Sequence, residues 1–262
     1  MWNTAKEAWA AGGVTYGAWL SIPDELVADT VGRLGFDWVC VDMQHGVIDE
    51  AAARAIIRAL RAAGAVPFVR VPWNDFGIIG KMLDAGALGI IVPMVNSAAE
   101  AAAVVAACRY PPLGARSFGP TMASVLYGSD YFTRANDEIA CIPMVETRQA
   151  LDALDDILAV PGVDAVYVGP ADLSLSLGLP PRLDNGGAFE EARLRIAQAC
   201  ARRGIVAGIH ATAALAPRHA AAGYRMITVA SDHRTIAEGM ARDLAAVREG
   251  RGAPPPASAS PY

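Results

Sequence analysis

Asp84-Ala85-Gly86-Ala87-Leu88-Gly89-Ile90-Ile91-Val92 leaves a helical segment, turns at a glycine and enters a wholly apolar strand. Glycine just past a helix is the usual left-handed C-cap. A strand without polar alternation is one covered on both faces, as in a parallel sheet. The same punctuation recurs at Arg33-Leu34-Gly35-Phe36-Asp37 and Ala221-Ala222-Gly223-Tyr224. Working outward, strands are expected at 15–20, 37–41, 66–69, 88–92, 141–145, 165–168, 206–209 and 226–229. Helices are expected between them, among others at 49–63, 97–108, 147–158 and 188–203, with Ser97 and Thr147 as N-caps. Eight such alternations predict an α/β fold, a single (β/α)8 TIM barrel over residues 1–249. No GxGxxG follows the first strand, which argues against a dinucleotide-binding open sheet. Residues 250–262, with Ala253-Pro254-Pro255-Pro256-Ala257-Ser258, have the composition of a disordered tail.

With 53% apolar and 19% charged residues, the chain of 262 residues has ample material for one core. A net charge of -5 without any Lys/Arg cluster argues against nucleic acid or acidic lipid and for small-molecule partners. The first residues lack the form of a signal peptide and no stretch has the length of a membrane span, so a soluble, cytoplasmic protein is expected. Cys40, Cys108, Cys141 and Cys200 lack CxxC spacing and read as buried free thiols. The long connection from Arg109 through Arg116, Ser117, Phe118 and Tyr127 is rich in aromatics, and an ordered functional loop that helps set specificity is expected there.

Catalytic groups of a barrel stand at the carboxyl ends of its strands. Polar residues after each apolar run are Trp19 and Ser21, Asp42, Gln44 and His45, Arg70, Glu146, Asp172, His210 and Asp232. Glu146 and Asp172, on neighbouring strands, offer two hard oxygen ligands suited to Mg²⁺ or Mn²⁺. The bland alternative makes Asp172 a helix N-cap and Glu146 an ion-pair partner of Arg148. Asp42-Met43-Gln44-His45-Gly46 sets a carboxylate three residues before a histidine, a spacing in which Asp42 can orient the His45 ring as a general base. Arg70 can neutralise a developing enolate or bind a carboxylate, or pair with Asp42 or Glu146. His219 and His233 read as helix-surface residues, and His210 as a rim residue. The chain has two lysines, Lys6 and Lys81, and neither ends a strand, so imine chemistry is not expected.

Asp42-Met43-Gln44-His45-Gly46, Val69-Arg70-Val71-Pro72, Arg109-Tyr110-Pro111-Pro112-Leu113-Gly114-Ala115-Arg116, Val145-Glu146-Thr147-Arg148 and Val168-Gly169-Pro170-Ala171-Asp172-Leu173-Ser174 together resemble the HpcH/HpaI aldolase family, over roughly residues 15 to 248. The resemblance implies a barrel of the phosphoenolpyruvate/pyruvate type and a class II aldolase acting on 4-hydroxy-2-oxo acids. It implies that Glu146 and Asp172 hold Mg²⁺, Mn²⁺ or Co²⁺, which pyruvate chelates through its carboxylate and keto oxygen. Arg70 would face the keto or enolate oxygen, His45 with Asp42 would form the acid/base dyad, and backbone at Gly169, Pro170 and Ala171 would cradle the carboxylate. Trp19 would help shape the acceptor side, and Asp84 would reach a neighbouring subunit's site. A hexamer, a trimer of dimers with the eighth helix exchanged between barrels, is implied as well.

Two positions depart from the family pattern: Met144 stands where glutamine is frequent, and Gln44 where glutamate is. Loss of an acidic neighbour alters the electrostatics around His45, so the donor, pyruvate or hydroxypyruvate, and the aldehyde stay open. Oxaloacetate decarboxylation, a citrate-synthase-like condensation and a catalytically silent 2-oxo-acid-binding barrel are the competing readings.

Overall fold

The computed structural model describes residues 2–249, so the expected tail at 250–262 lies outside the described residues. Eight parallel strands form one nearly closed barrel in the order β5-β4-β3-β2-β1-β8-β7-β6. They are β1 (Thr15–Leu20), β2 (Trp38–Asp42), β3 (Pro67–Arg70), β4 (Gly89–Val92), β5 (Ala140–Pro143), β6 (Ala165–Val168), β7 (Val206–His210) and β8 (Met226–Ser231). The seam between β5 and β6 is the loosest join: one bridge, Met144 to Tyr167, and the bonds Asp164 N→Cys141 O and Val145 N→Tyr167 O span it. The fifth strand therefore ends earlier than the apolar run 141–145 suggests, and Glu146 leaves the barrel at this irregular seam.

After α1 (Thr4–Ala10), the crossovers are α2 (Glu25–Gly32), α3 (Glu50–Ala62), α4 (Phe76–Asp84) and α5 (Ala98–Cys108). Then come α6 (Thr121–Tyr127), α7 (Tyr131–Glu138), α8 (Arg148–Asp152), α9 (Leu154–Leu158), α10 (Pro170–Ser176), α11 (Ala188–Arg203), α12 (Ala216–Ala221) and α13 (Asp232–Arg248). Ser97 and Thr147 cap as expected, accepting from Glu100 N at 3.2 Å and Ala150 N at 3.0 Å. The helix expected at 147–158 is two short ones, broken at Ala153. Asp152 at the end of one is unfavourable to its dipole, whereas Asp155 and Asp156 favour a fresh N-terminus.

Side chains from the strands fill the barrel. Trp38 stacks on Phe68 at 5.6 Å and Trp19 on Tyr167 at 5.6 Å, and Gly17 leaves room for the Trp38 ring, which a Cβ there would strike. All four cysteines are free and buried. His233 is exposed, but His219 is fully buried against Tyr224, contrary to the surface position expected for it. α12 turns His219 toward α11, and its sequence neighbours conceal that orientation.

The connection 109–139 is ordered and carries α6 and α7, yet it packs at the amino-terminal end of the barrel. Tyr127 Oη donates to Gly86 O at 2.6 Å and Tyr131 Oη to Leu83 O at 3.3 Å, both beneath β4. A segment joining a helix to the next strand belongs at that end, so it does not cover this chain's own mouth. Asp84, the last residue of α4, lies there too, bound by the buried Arg116 at 2.7 Å.

Candidate active site

At the carboxyl end, in-register pairing sets Asp42 beside Arg70, and the two side chains form a two-pronged ion pair. Arg70 Nε donates to Asp42 Oδ1 at 2.8 Å and Nη2 to Oδ2 at 2.6 Å, with the side chains 11% and 3% exposed. Burial by itself would raise the Asp42 pKa, but the hydrogen bonds and charge of Arg70 overcome it and hold the carboxyl below its ordinary range. The remaining capacity of Asp42 goes to the backbone N–H groups of Gln44 and His45. The hydrogen bond expected from the His45 ring to Asp42 is therefore not made; Asp42 has its alternative partner, Arg70. His45 stands exposed at the rim, its ring without a hydrogen bond among the described residues.

Glu146 is 2% exposed, yet among the described residues its one hydrogen bond is from Met94 N to Oε1 at 2.8 Å. Burial, partly offset by that bond and by Arg70 and reinforced by the nearby charge of Asp172, pushes its pKa up to about 7. Neither bland alternative holds. Gly169 occupies the N-cap position of α10, with Asp172 inside its first turn, and Arg148 forms no ion pair with Glu146. Asp172 is half-buried and makes no hydrogen bond or ion pair among the described residues. A Cβ on Gly169 would fall on Glu146 Oε2 and the Met144 methyl, so glycine keeps open the space that the carboxylate uses.

Of these groups, His45, Arg70 and Asp172 open onto a cavity of about 230 Å³, lined also by Trp19, Met144, Tyr167, residues 169–171, Leu183 and His210. Trp19 supports Arg70 by a cation–π contact at 4.9 Å and meets His210 edge-on at 5.2 Å. Burial, with Arg70 and Arg234 nearby, pushes the His210 pKa down to about 4, so the ring is neutral at physiological pH. Asp232 is structural: it accepts from the N–H groups of Ser21, Ile22 and His233 and ties the first mouth loop to α13. Among the described residues no three His, Cys, Asp or Glu side chains gather as a complete metal cage.

Met94, Tyr167 and Leu183 escaped the sequence reading. Met94 acts through its backbone, held at φ 56 in the left-handed region by Asn96 Nδ2→Met94 O at 2.8 Å. A non-glycine residue in that conformation costs on the order of 1–3 kcal/mol and is held only where its surroundings insist. The signal was available in Pro93-Met94-Val95-Asn96, which directly follows β4.

A TIM barrel whose mouth gathers two under-compensated carboxylates, a supported arginine and a histidine is the frame of an enzyme acting on small molecules. The profile of the HpcH/HpaI aldolase/citrate lyase family matches residues 15–238, and the chain belongs to that family, as a carbon–carbon lyase. It is 40% identical to a hydroxypyruvate/pyruvate aldolase of Rhizorhabdus wittichii, covering 88% of this chain and 92% of that one. It is 36% identical to a 4-hydroxy-2-oxo-heptane-1,7-dioate aldolase of Salmonella dublin, covering 91% and 92%. An HpcH/HpaI aldolase/citrate lyase family structure from Burkholderia cenocepacia superposes with TM-score 0.88 at 33% identity, covering 94% and 99%. The citrate synthase SbnG superposes with TM-score 0.84 at 31% identity, covering 94% and 97%.

Proposed function

We propose that the protein is a divalent-metal-dependent aldolase that reversibly cleaves a 4-hydroxy-2-oxo acid into pyruvate or hydroxypyruvate and an aldehyde. The observation that carries the reading is Glu146: a buried carboxylate with one oxygen unbonded, beside the unpaired Asp172, over a gap that only a glycine at 169 leaves open. Two such carboxylates fit Mg²⁺, Mn²⁺ or Co²⁺, ions that leave their other positions to water and substrate. Bound there, the ion supplies Lewis-acid polarisation of the 2-oxo group.

The chain's own groups then divide the work. Ala171 and Asp172 present N–H groups without helical partners, since the first such bond in α10 is Leu173 N→Gly169 O, and they receive the substrate carboxylate. Pro170 has no N–H and contributes shape alone. Arg70, locked by Asp42 and Trp19, faces the oxygen on which enolate charge grows. His45 takes the proton of the C4 hydroxyl as the C3–C4 bond breaks to aldehyde and enolate. It returns a proton to C3, closing the cycle. Asp42 serves this reaction by fixing Arg70 rather than by fixing His45.

The test is removal of the ion. Protein stripped by chelator should lose pyruvate release from a 4-hydroxy-2-oxo acid and recover it with Mn²⁺ or Mg²⁺. Full activity after rigorous stripping would refute the metal-dependent reading. Likeness to SbnG supports a second reading, condensation of an enolate with a 2-oxo acid. Product analysis separates the two, with an aldehyde released in one case and a tricarboxylate formed in the other.

We further propose a hexamer in which α13 is exchanged between barrels and Asp84 approaches a neighbour's mouth. α13 leaves Ile236, Met240, Leu244 and Val247 exposed along one stripe, while an apolar groove of about 500 Å³ opens beside α2 at Leu26, Val27, Val31 and Leu34. Met240→Glu should lower the mass in solution measured by light scattering; an unchanged mass would refute the exchange. Among the described residues no helix is long and apolar enough to cross a membrane. Four unpaired thiols suit the reducing cytoplasm, where we place the protein. Lasting export of the tagged chain in cell fractionation would contradict that placement.

A further inference from the structure

We infer that Leu183 sets the size limit of the aldehyde this site accepts, and that Arg218 is the positioning residue that holds it in place. The inference rests on the aldolase reading and deepens it. The groups assigned to the oxo-acid half stand on or just after β3, β5 and β6. Leu183, on the connection that follows β6, and His210, at the end of the adjacent β7, line the same mouth and take no part in that half, so they form wall left to the acceptor. Leu183 is the lining residue that comes from neither a strand end, nor the turn after one, nor the first turn of α10. It sits on the connection between α10 and α11, where a side chain contributes a defined wall only if the backbone is tied down.

That backbone is tied twice, at the two residues following Leu183. Asp184 Oδ2 accepts from Arg218 Nη1 at 2.7 Å, which joins the loop to α12. Asn185 Nδ2 donates to Ser174 Oγ at 2.9 Å and Pro180 O at 2.9 Å, which joins it to α10, two residues beyond Asp172. Arg218 is itself oriented, because Nη2 donates to Glu190 Oε2 at 2.5 Å and the buried Arg193 grips Glu190 with Nε at 2.6 Å. A half-exposed ion pair alone would be weak. Here it is one member of a chain of fixed charges running from the core to the loop.

Space at the mouth is scarce. A cavity of about 230 Å³ is below the roughly 300–1,000 Å³ typical of drug-sized ligand sites, so a donor and an acceptor fill it and one branched side chain decides what else enters. In an apolar pocket a single methylene changes discrimination by roughly 10-fold or more. Leu183 therefore favours short aldehydes over long ones.

The experiment measures kcat/KM for hexanal and for acetaldehyde with pyruvate and Mn²⁺, and takes their ratio, which cancels any loss common to both. Leu183→Ala should raise the hexanal-to-acetaldehyde ratio on the order of tenfold, and Leu183→Phe should lower it. Arg218→Leu should shift the ratio in the direction of Leu183→Ala while deuterium exchange into the pyruvate methyl persists, and Arg218→Lys should restore it. Opposite movement by the two Leu183 variants supports the inference even where one of them folds poorly. Exchange in the unsubstituted protein with a ratio that neither Leu183 variant moves overturns the inference alone. No exchange in the unsubstituted protein overturns the aldolase reading and the inference with it.

Discussion

The two ends of the barrel treat buried charge in opposite ways. At the amino end, Glu138 is 3% exposed and fully engaged: Oε2 accepts from Trp2 N and Asn3 N, and Oε1 pairs with Arg134 at 2.6 Å. Asp164 beside it receives Arg109, Lys6 and the Cys141 N–H, each within 2.8 Å. At the carboxyl end, Glu146 is as deeply buried and has one hydrogen bond among the described residues, and Asp172 has none there. Saturated charge at one end closes the barrel floor. Under-compensated charge at the other end is what the proposed cation would satisfy, and a fold tolerates such charge where binding repays it.

Substitution at each end breaks the comparison apart. Glu146→Gln should lower kcat/KM for pyruvate release by on the order of a thousandfold, beyond the 10–100-fold cost typical of outer-shell changes at metal sites. Its thermal midpoint in chelator should not fall, because the amide removes a poorly compensated charge. Asp164→Asn is the mirror case. It strands the buried Arg109 and should cost about 3–5 kcal/mol in denaturant unfolding, with kcat of the remaining folded protein preserved. If both substitutions act on stability alike, the two ends do not differ as described.

How much of this was legible in the sequence follows the same division. The eight strands and the Gly C-caps were readable because each is a local signal, and six of the eight strands shift at one or both ends where the ladder, not the apolar run, sets the boundary. Glu146, Asp172 and Arg70 were readable as strand-end polar residues, since topology sends all such ends to one mouth. The partner of Asp42 was legible only as an alternative. The His45 ring three residues away and Arg70 28 residues away were both open, and the in-register pairing of β2 with β3 decides for Arg70. Met94 and the floor network of Asn3, Glu138 and Asp164 were invisible because they work through backbone atoms or through contacts across 55 residues or more.

Acidity sharpens the contrast within the mouth itself. The Glu146 pKa is raised from 4.5 to about 7, so between those values the metal-free folded state holds a proton that the unfolded chain lacks. Its stability therefore rises as pH falls through that window, by up to about 3 kcal/mol, and Glu146→Gln should abolish the slope. Asp42, lowered by Arg70, runs the other way and withdraws its contribution only as pH falls below the ordinary carboxylate range. Mn²⁺ competes with the proton on Glu146, so its stabilising effect should grow from pH 5 to pH 8. Thermal midpoints with and without Mn²⁺ measure this, and a metal effect that shrinks with rising pH would exclude Glu146 as a ligand.

The smallest expected effect concerns the lysines, and it decides between ways of making an enolate. Lys6 belongs to the floor, donating to Asp137 O at 2.7 Å and Ile139 O at 3.2 Å, and Lys81 pairs with Glu50 at 2.7 Å on the outer helices. Neither Nζ lines the mouth cavity. Lys6→Met should cost about 1 kcal/mol in unfolding, the scale of a few partly exposed hydrogen bonds. The double variant with Lys81→Met should keep deuterium exchange into pyruvate. Borohydride reduction in the presence of pyruvate should trap no adduct on the unsubstituted protein. An adduct, or loss of exchange in the folded double variant, would mean that an amine and not Glu146 with its ion generates the carbanion. The contrast between the two ends would then describe stability alone.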